Sequence, residues 1–210
     1  MKLRIMNPEE LKRAYETDLV EAFPPAELKP LSAMERMRAA GIYDPLGLFD
    51  KAGEPVGYIL LWKHPDGQYI LIDYLCVPAK RRNGGIGGKL LRLARDFYPP
   101  DTIFIGESEA PTGDPAADSM ILRRLDFYRR NGAASLSYDC ALFGVHFRTI
   151  CWAAQLPAED EILRRHQEIY LRQFGPERYR RYIQIPLAPG EAPYPLSDWT
   201  EGPADPPAVP

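Results

Sequence analysis

The sequence predicts an α/β (α+β) fold: a mixed, mostly antiparallel central sheet flanked by helices. Three observations lead there. Apolar runs at residues 46–49 (LGLF), 56–62 (VGYILLW) and 69–77 (YILIDYLCV) follow one another across short turns, as the strands of an antiparallel meander do. A basic, glycine-rich segment then precedes an amphipathic helix, and that helix leads to a compact apolar run at 102–106 (TIFIG). The 210 residues are 45% hydrophobic and 26% charged, an ordinary globular balance. A chain of this length buries about two-thirds of its extended surface and needs neither disulfide nor metal to fold.

Each element has its own signal. Asn7-Pro8-Glu9-Glu10 opens the first helix: Asn caps, Pro suits the first turn, and acids favour the positive dipole end. Leu11, Tyr15, Leu19 and Phe23 repeat at helical spacing until Pro24-Pro25. A short helix is expected over 32–37, closed by Gly41. His64-Pro65-Asp66-Gly67 is a turn between the second and third strands. In the helix after the glycines, Ile86, Leu90, Leu93 or Ala94, and Phe97 share one face. A polar loop is expected over 110–117 and a helix over 118–130, stopped by Asn131-Gly132. A weaker strand follows over 134–142, a helix over 158–174 and a last strand over 179–185. From Pro186 onward there are eight prolines, four acids and no Lys or Arg. The expected organisation is one domain over 1–185 and an extended or disordered tail over 186–210.

Composition excludes several classes. A net charge of −3 argues against a nucleic-acid partner. Three widely spaced cysteines without a CxxC argue against a zinc site or a disulfide framework, so no metal is expected. The N-terminal residues lack the apolar core of a secretory signal, and no apolar run approaches the ~18 residues of a membrane span. The expected setting is the cytoplasm.

The stretch that carries chemistry is Arg82-Asn83-Gly84-Gly85-Ile86-Gly87-Gly88, between a strand and a helix. Glycines bring the backbone close to a ligand, and N–H groups converge with the dipole at the helix start, which suits a pyrophosphate. Lys80, Arg81, Arg82 and Lys89 add positive charge. It is not a P-loop, because no G-x-x-x-x-G-K-[ST] occurs, and the absence of G-x-G-x-x-G disfavours dinucleotide binding of the Rossmann kind.

The pattern resembles the GNAT superfamily of acyl-CoA-dependent N-acyltransferases. Arg82 to Gly87 fits that family's [QR]-x-x-G-x-[GA] pyrophosphate loop, and Tyr74-Leu75-Cys76-Val77-Pro78 fits the end of its fourth strand. Further on, Phe127-Tyr128-Arg129-Arg130-Asn131-Gly132 looks like its F-Y-x-x-x-G helix end. The resemblance is strong over 56–133. It implies a bulged fourth strand and a sheet splayed between strands four and five. Leu75, Cys76 and Val77 would offer backbone groups to the pantetheine arm of acetyl-CoA. Arg82, Asn83, Gly84, Gly85, Ile86 and Gly87 would wrap its pyrophosphate. Tyr128 would protonate the leaving thiolate, a role open to a phenol of pKa ~10. The implied reaction is direct transfer of acetyl from acetyl-CoA to a primary amine of a small molecule. The alternatives are a protein amine as acceptor, or an acyl-CoA-binding module without turnover. Monomer and homodimer both stay open. Ile121 stands where many relatives place an asparagine.

The incoming ammonium must lose a proton before it attacks. Asp73, on the fourth strand, and Glu107, after the fifth, are candidate bases of about equal rank, with Glu109 nearby. The first two helices and the loop 107–117 are expected to wall the acceptor site. Cys76 reads as core packing rather than a nucleophile, and His166 as a solvated residue of a charged helix.

Overall fold

The computed structural model describes residues 1–25 and 27–197, together with the backbone but not the side chain of Ala117. In chain order the elements are β1 (Lys2–Ile5), α1 (Pro8–Ala14), a π-helical turn (Tyr15–Leu19), α2 (Val20–Ala22), α3 (Leu31–Ala39), β2 (Tyr43–Phe49), β3 (Pro55–Lys63) and β4 (Tyr69–Cys76). A 3-10 turn (Ala79–Arg81), α4 (Ile86–Phe97), β5 (Ile103–Glu109), α5 (Pro115–Arg130), β6 (Ala134–Leu142), β7 (Val145–Trp152), α6 (Glu159–Tyr182) and β8 (Ile183–Leu187) complete it.

One eight-stranded sheet runs in the order β1-β2-β3-β4-β5-β7-β6-β8. Every pairing is antiparallel except β4–β5, which is parallel. A parallel pair needs a crossover, and α4 supplies it. One face of the sheet packs a core that includes Leu11, Met34, Met37, Trp62, Tyr170 and Phe174, brought by α1, α3 and α6. The other face packs Ile86, Leu90, Leu91 and Ala94 of α4, with Phe127 and Tyr128 of α5 beside them. The apolar stripe expected on α4 is present at Ile86, Leu90 and Ala94, whereas Phe97 is exposed.

Two features of β4 shape the sheet at its centre. Its parallel pairing with β5 runs from Tyr69↔Ile103 to Ile72↔Gly106 and stops there, although both strands continue. The sheet therefore splays between them. Against β3, Leu60 pairs with Tyr74 and Leu61 with Ile72, so Asp73 is an extra residue without a partner, a β-bulge. The bulge exchanges the faces of the strand. Tyr69 and Leu71 share the α6-side core with Tyr74 and Cys76, while Ile70 and Ile72 share the α4-side core with Leu75 and Val77.

Several expected boundaries move. β1 and β7 had no separate expectation. α5 begins at Pro115, capped by Asp114, inside what was expected to be a loop. Asp118 then accepts from the backbone N–H groups of Thr112 and Gly113 and draws the preceding turn onto the helix. The expected helix 158–174 is broken near its forecast end, at Gly175 (φ 68°) before Pro176, and a further helical stretch continues to Tyr182. The last strand lies at Ile183–Leu187, so it includes Pro186 and Leu187, assigned by composition to the tail. Residues 188–197 run without regular structure but are anchored. Gln184 donates to Glu191 and accepts from the Tyr194 N–H, and the Ser197 N–H donates to the Phe143 carbonyl. The remainder of the expected tail, 198–210, lies outside the described residues.

Candidate active site

The splay opens a cavity of about 850 Å³. Its walls are the ends of β4 and β5, the glycine-rich loop, α5, the connection between α2 and α3, and the β6–β7 turn. Of the residues singled out in the sequence, Asp73, Leu75, Cys76, Val77, Arg82, Asn83, Gly85, Ile86, Gly87, Glu107 and Tyr128 all line it. Gly84 belongs to the loop but does not line the cavity.

The loop is built for close approach. Asn83 (φ 64°) and Gly85 (φ 74°) take left-handed backbone conformations, and Gly85 begins α4 with no side-chain cap. The first N–H groups of α4 are thus left uncapped, the arrangement that an anion fills. Gly87 and Gly88 serve packing as well. A Cβ on Gly88 would lie 2.6 Å from Asn131 Oδ1, and one on Gly87 would lie 3.0 Å from the Phe127 ring. They let the start of α4 lie against the end of α5, which brings the loop beside Tyr128. Arg82 turns back, its Nε donating to the Val77 carbonyl at 3.0 Å. Beyond Ile72, β4 is no longer paired with β5, and Leu75 and Val77 line the opening.

Tyr128 packs edge-on between Phe127 and Trp152, and its hydroxyl has no hydrogen-bond partner among the described residues. Burial raises its pKa, with the nearby Arg124 pulling the other way. It is therefore a protonated phenol at neutral pH.

The two bases named from sequence are both already engaged. Asp73 forms a buried ion pair with Lys29, whose side chain is 2% exposed, and accepts from the Tyr43 hydroxyl at 2.6 Å. Burial pushes the Asp73 carboxyl upward against the pull of Lys29 and Tyr43. The Lys29 ammonium also sits over the Trp62 ring, 4.9 Å from its centroid. Glu107 accepts from Tyr170 at 2.9 Å and lies 2.8 Å from His166 Nε2, with the Cys140 thiol at 3.8 Å. The Tyr138 hydroxyl meets the other ring nitrogen, His166 Nδ1, at 3.2 Å. His166 is fully buried, not solvated as its charged neighbours in sequence suggested. Those charges occupy the outer face of α6, while His166 and Tyr170 lie one turn apart on the inner face. Glu107, Cys140 and His166 also bring three potential metal-ligand atoms within 4.8 Å of one another. No spacing in the sequence announces this, because the three come from β5, β6 and α6.

Cys76 is buried, and its thiol is pushed up to about 12 by burial and then by Asp18, so it is no nucleophile at neutral pH. Of the segment 107–117 expected to wall the acceptor site, Glu107 and Glu109 line the cavity, whereas none of residues 110–116 does. Phe23, Glu27 and Lys29 line it, as do Glu109, Arg124 and Phe147. Glu27, Lys29 and Tyr170 carried no sequence motif. The signal available for the first two was an acid and a lysine inside a segment stiffened by Pro24, Pro25 and Pro30.

Comparison with known proteins agrees with this geometry. Residues 9–105 match the acetyltransferase (GNAT) family model. No curated protein sequence matches the chain significantly. Among solved structures, a Bacteroides thetaiotaomicron protein assigned to the GNAT family of acetyltransferases superposes with a TM-score of 0.64 at 22% identity, covering 80% of this chain and 95% of its own. A mutant of the spermidine N-acetyltransferase of Vibrio cholerae gives 0.56 at 8% identity, over 73% and 95%. An aminoglycoside 6'-N-acetyltransferase complexed with coenzyme A gives 0.52 at 12%, over 75% and 99%. The fold, with its splayed β4–β5 pair, is thus the one seen in solved GNAT acetyltransferases, and residues 9–105 of this chain are similar to that family's model.

Proposed function

We propose that this protein transfers an acetyl group from acetyl-CoA directly to a primary amine of a small molecule. The observation that carries this reading is a single cavity in which an uncapped, glycine-rich helix start, the open edge of β4 and the unpartnered Tyr128 hydroxyl face one another. Each part suits one portion of the chemistry. Loop N–H groups from Arg82 to Gly87 would hold the pyrophosphate. Leu75, Cys76 and Val77 would pair their backbone with the pantetheine arm. Tyr128 would give its proton to the departing thiolate as the amide forms. Direct transfer needs no acyl-enzyme, and no reactive thiolate lines the cavity among the described residues. The acids on the acceptor side favour a cationic amine. The solved neighbours named for spermidine and for an aminoglycoside are consistent with that class of acceptor.

The test is release of free CoA from acetyl-CoA in the presence of spermidine, an aminoglycoside and an alanyl peptide. Release with either small amine and not with the peptide is expected. Tight acetyl-CoA binding without release under any acceptor overturns the catalytic reading and favours a sensor.

A further inference from the structure

We propose that Glu27, in the proline-flanked connection between α2 and α3, is the group that takes the proton from the acceptor's ammonium. This rests on the acetyl-transfer reading and names a residue that no motif identifies.

Five observations carry it. Glu27 lines the cavity. Its carboxyl meets that of Glu109, the last residue of β5, and Glu109 is fixed by a 2.7 Å bond from Arg124 Nη1. Arg124 lies four residues before Tyr128 on α5, hence on the same helix face, so this carboxyl–carboxyl–guanidinium chain ends one turn from the thiolate's proton donor. The other two acids at the splay are occupied: Asp73 by Lys29 and Tyr43, Glu107 by His166 and Tyr170. Glu27 makes no ion pair among the described residues, and its side-chain hydrogen-bond partner is the Glu109 carboxyl.

Its surroundings set it near neutrality. Burial comes first and the Glu109 charge second, and together they raise the Glu27 carboxyl to about 7, with Arg124 opposing them. The groups facing it are Glu109 from β5 and Arg124 from α5. From β4, the Tyr74 hydroxyl donates to the Glu27 carbonyl. A base of that strength is half ionised at neutral pH and strong enough to accept a proton from a bound ammonium.

The protons balance. Ionised Glu27 takes one proton from R–NH3+ and later releases it to solvent. The nitrogen lone pair then forms the N–C bond, and the C–S bond breaks with its electron pair on sulfur. Tyr128 gives a proton to that sulfur and regains one from the nitrogen as the amide forms. The net change is ammonium and thioester to amide, thiol and one released proton.

The experiment is the pH profile of kcat/KM for CoA release with spermidine and with an aminoglycoside, in the full-length protein. Wild type should show an acid limb with its inflection near pH 7. Glu27→Gln should lose about 10²-fold at pH 7 and lose the limb, while acetyl-CoA affinity stays within about threefold, which reports an intact fold and donor site. Glu27→Asp should recover part of the rate and keep a limb. Glu109→Gln should shift the limb to lower pH, because it removes the neighbouring charge. Wild-type turnover with an unchanged rate and limb in Glu27→Gln overturns this inference alone. No CoA release by wild type from any amine at any pH overturns the acetyltransferase reading, and this inference with it.

Discussion

Tyr128 shows how burial and chemistry can point the same way at one residue. Its ring is held by Phe127 and Trp152, so the hydroxyl can serve a ligand without moving the helix. Removing that oxygen leaves the packing in place, because no hydrogen bond among the described residues depends on it. Tyr128→Phe should therefore lower kcat by about 10²-fold, the usual contribution of one general acid, and leave the acetyl-CoA dissociation constant within about threefold. Steady-state kinetics with calorimetric titration of acetyl-CoA checks both numbers, and an unchanged kcat removes Tyr128 from the mechanism. Lys29 is the contrasting case. Its charge is buried against Asp73, and loss of one partner strands the other at a cost of about 3–5 kcal/mol. Tyr128 was legible in the sequence because a motif surrounds it. Lys29 and Glu27 were not, because their importance comes from what the fold places opposite them: Asp73 on β4 in one case, Glu109 on β5 in the other.

At the scale of elements, the junction of α4 and α5 decides whether the donor loop has its shape. Gly88 looks unfavourable by propensity, since glycine in a helix costs roughly 1 kcal/mol against alanine. The contact with Asn131 reverses that expectation. Gly88→Ala drives a Cβ to 2.6 Å from Asn131 Oδ1, whose side chain is held by the Phe127 carbonyl. The substitution should destabilise by about 1–3 kcal/mol and weaken acetyl-CoA binding, measured by denaturant unfolding and by titration. A gain in stability would show that Asn131 gives way freely. The elements themselves were unequally readable. The meander β2–β4, α4 and β5 stand out because their strands are apolar on both faces and the helix has one clear stripe. β1 is four residues long, and the first half of β7 is only partly buried, so neither carries a decisive period. The cap of α5 was hidden because Asp114 and Pro115 sit in a polar stretch that also reads as a loop. A bulge in the fourth strand followed from the family resemblance, but its place at Asp73 did not, because an extra residue erases the alternation of side chains.

For the whole molecule, the segment after β8 behaves as part of the body up to the last described residues. A Cβ on Gly144 would lie 2.6 Å from the Leu196 Cα, so this segment presses on the β6–β7 turn whose Phe143 lines the cavity. Removing residues 198–210 should leave Tm and turnover within error. Removing 188–210 should lower Tm by several degrees, through the lost bonds to Gln184 and Phe143, and raise KM for the amine more than for acetyl-CoA. Equal behaviour of the two truncations would show that 188–197 is dispensable. Composition had grouped both parts as one tail, because proline content reports the absence of helix and not the absence of anchoring. The splay has a wider consequence. The strands before it, β1 to β4, and those after it, β5 to β8, form two half-sheets that are each continuous in sequence. The glycine-rich loop belongs to the first, inside the span that the family model matches. Glu109, Arg124, Phe147 and Tyr170 belong to the second, beyond that span. On the proposed reading the pyrophosphate loop comes from the first half alone, whereas the acceptor side takes Glu27 from the first half and Glu109 and Arg124 from the second. A change of acceptor therefore needs both halves to change together.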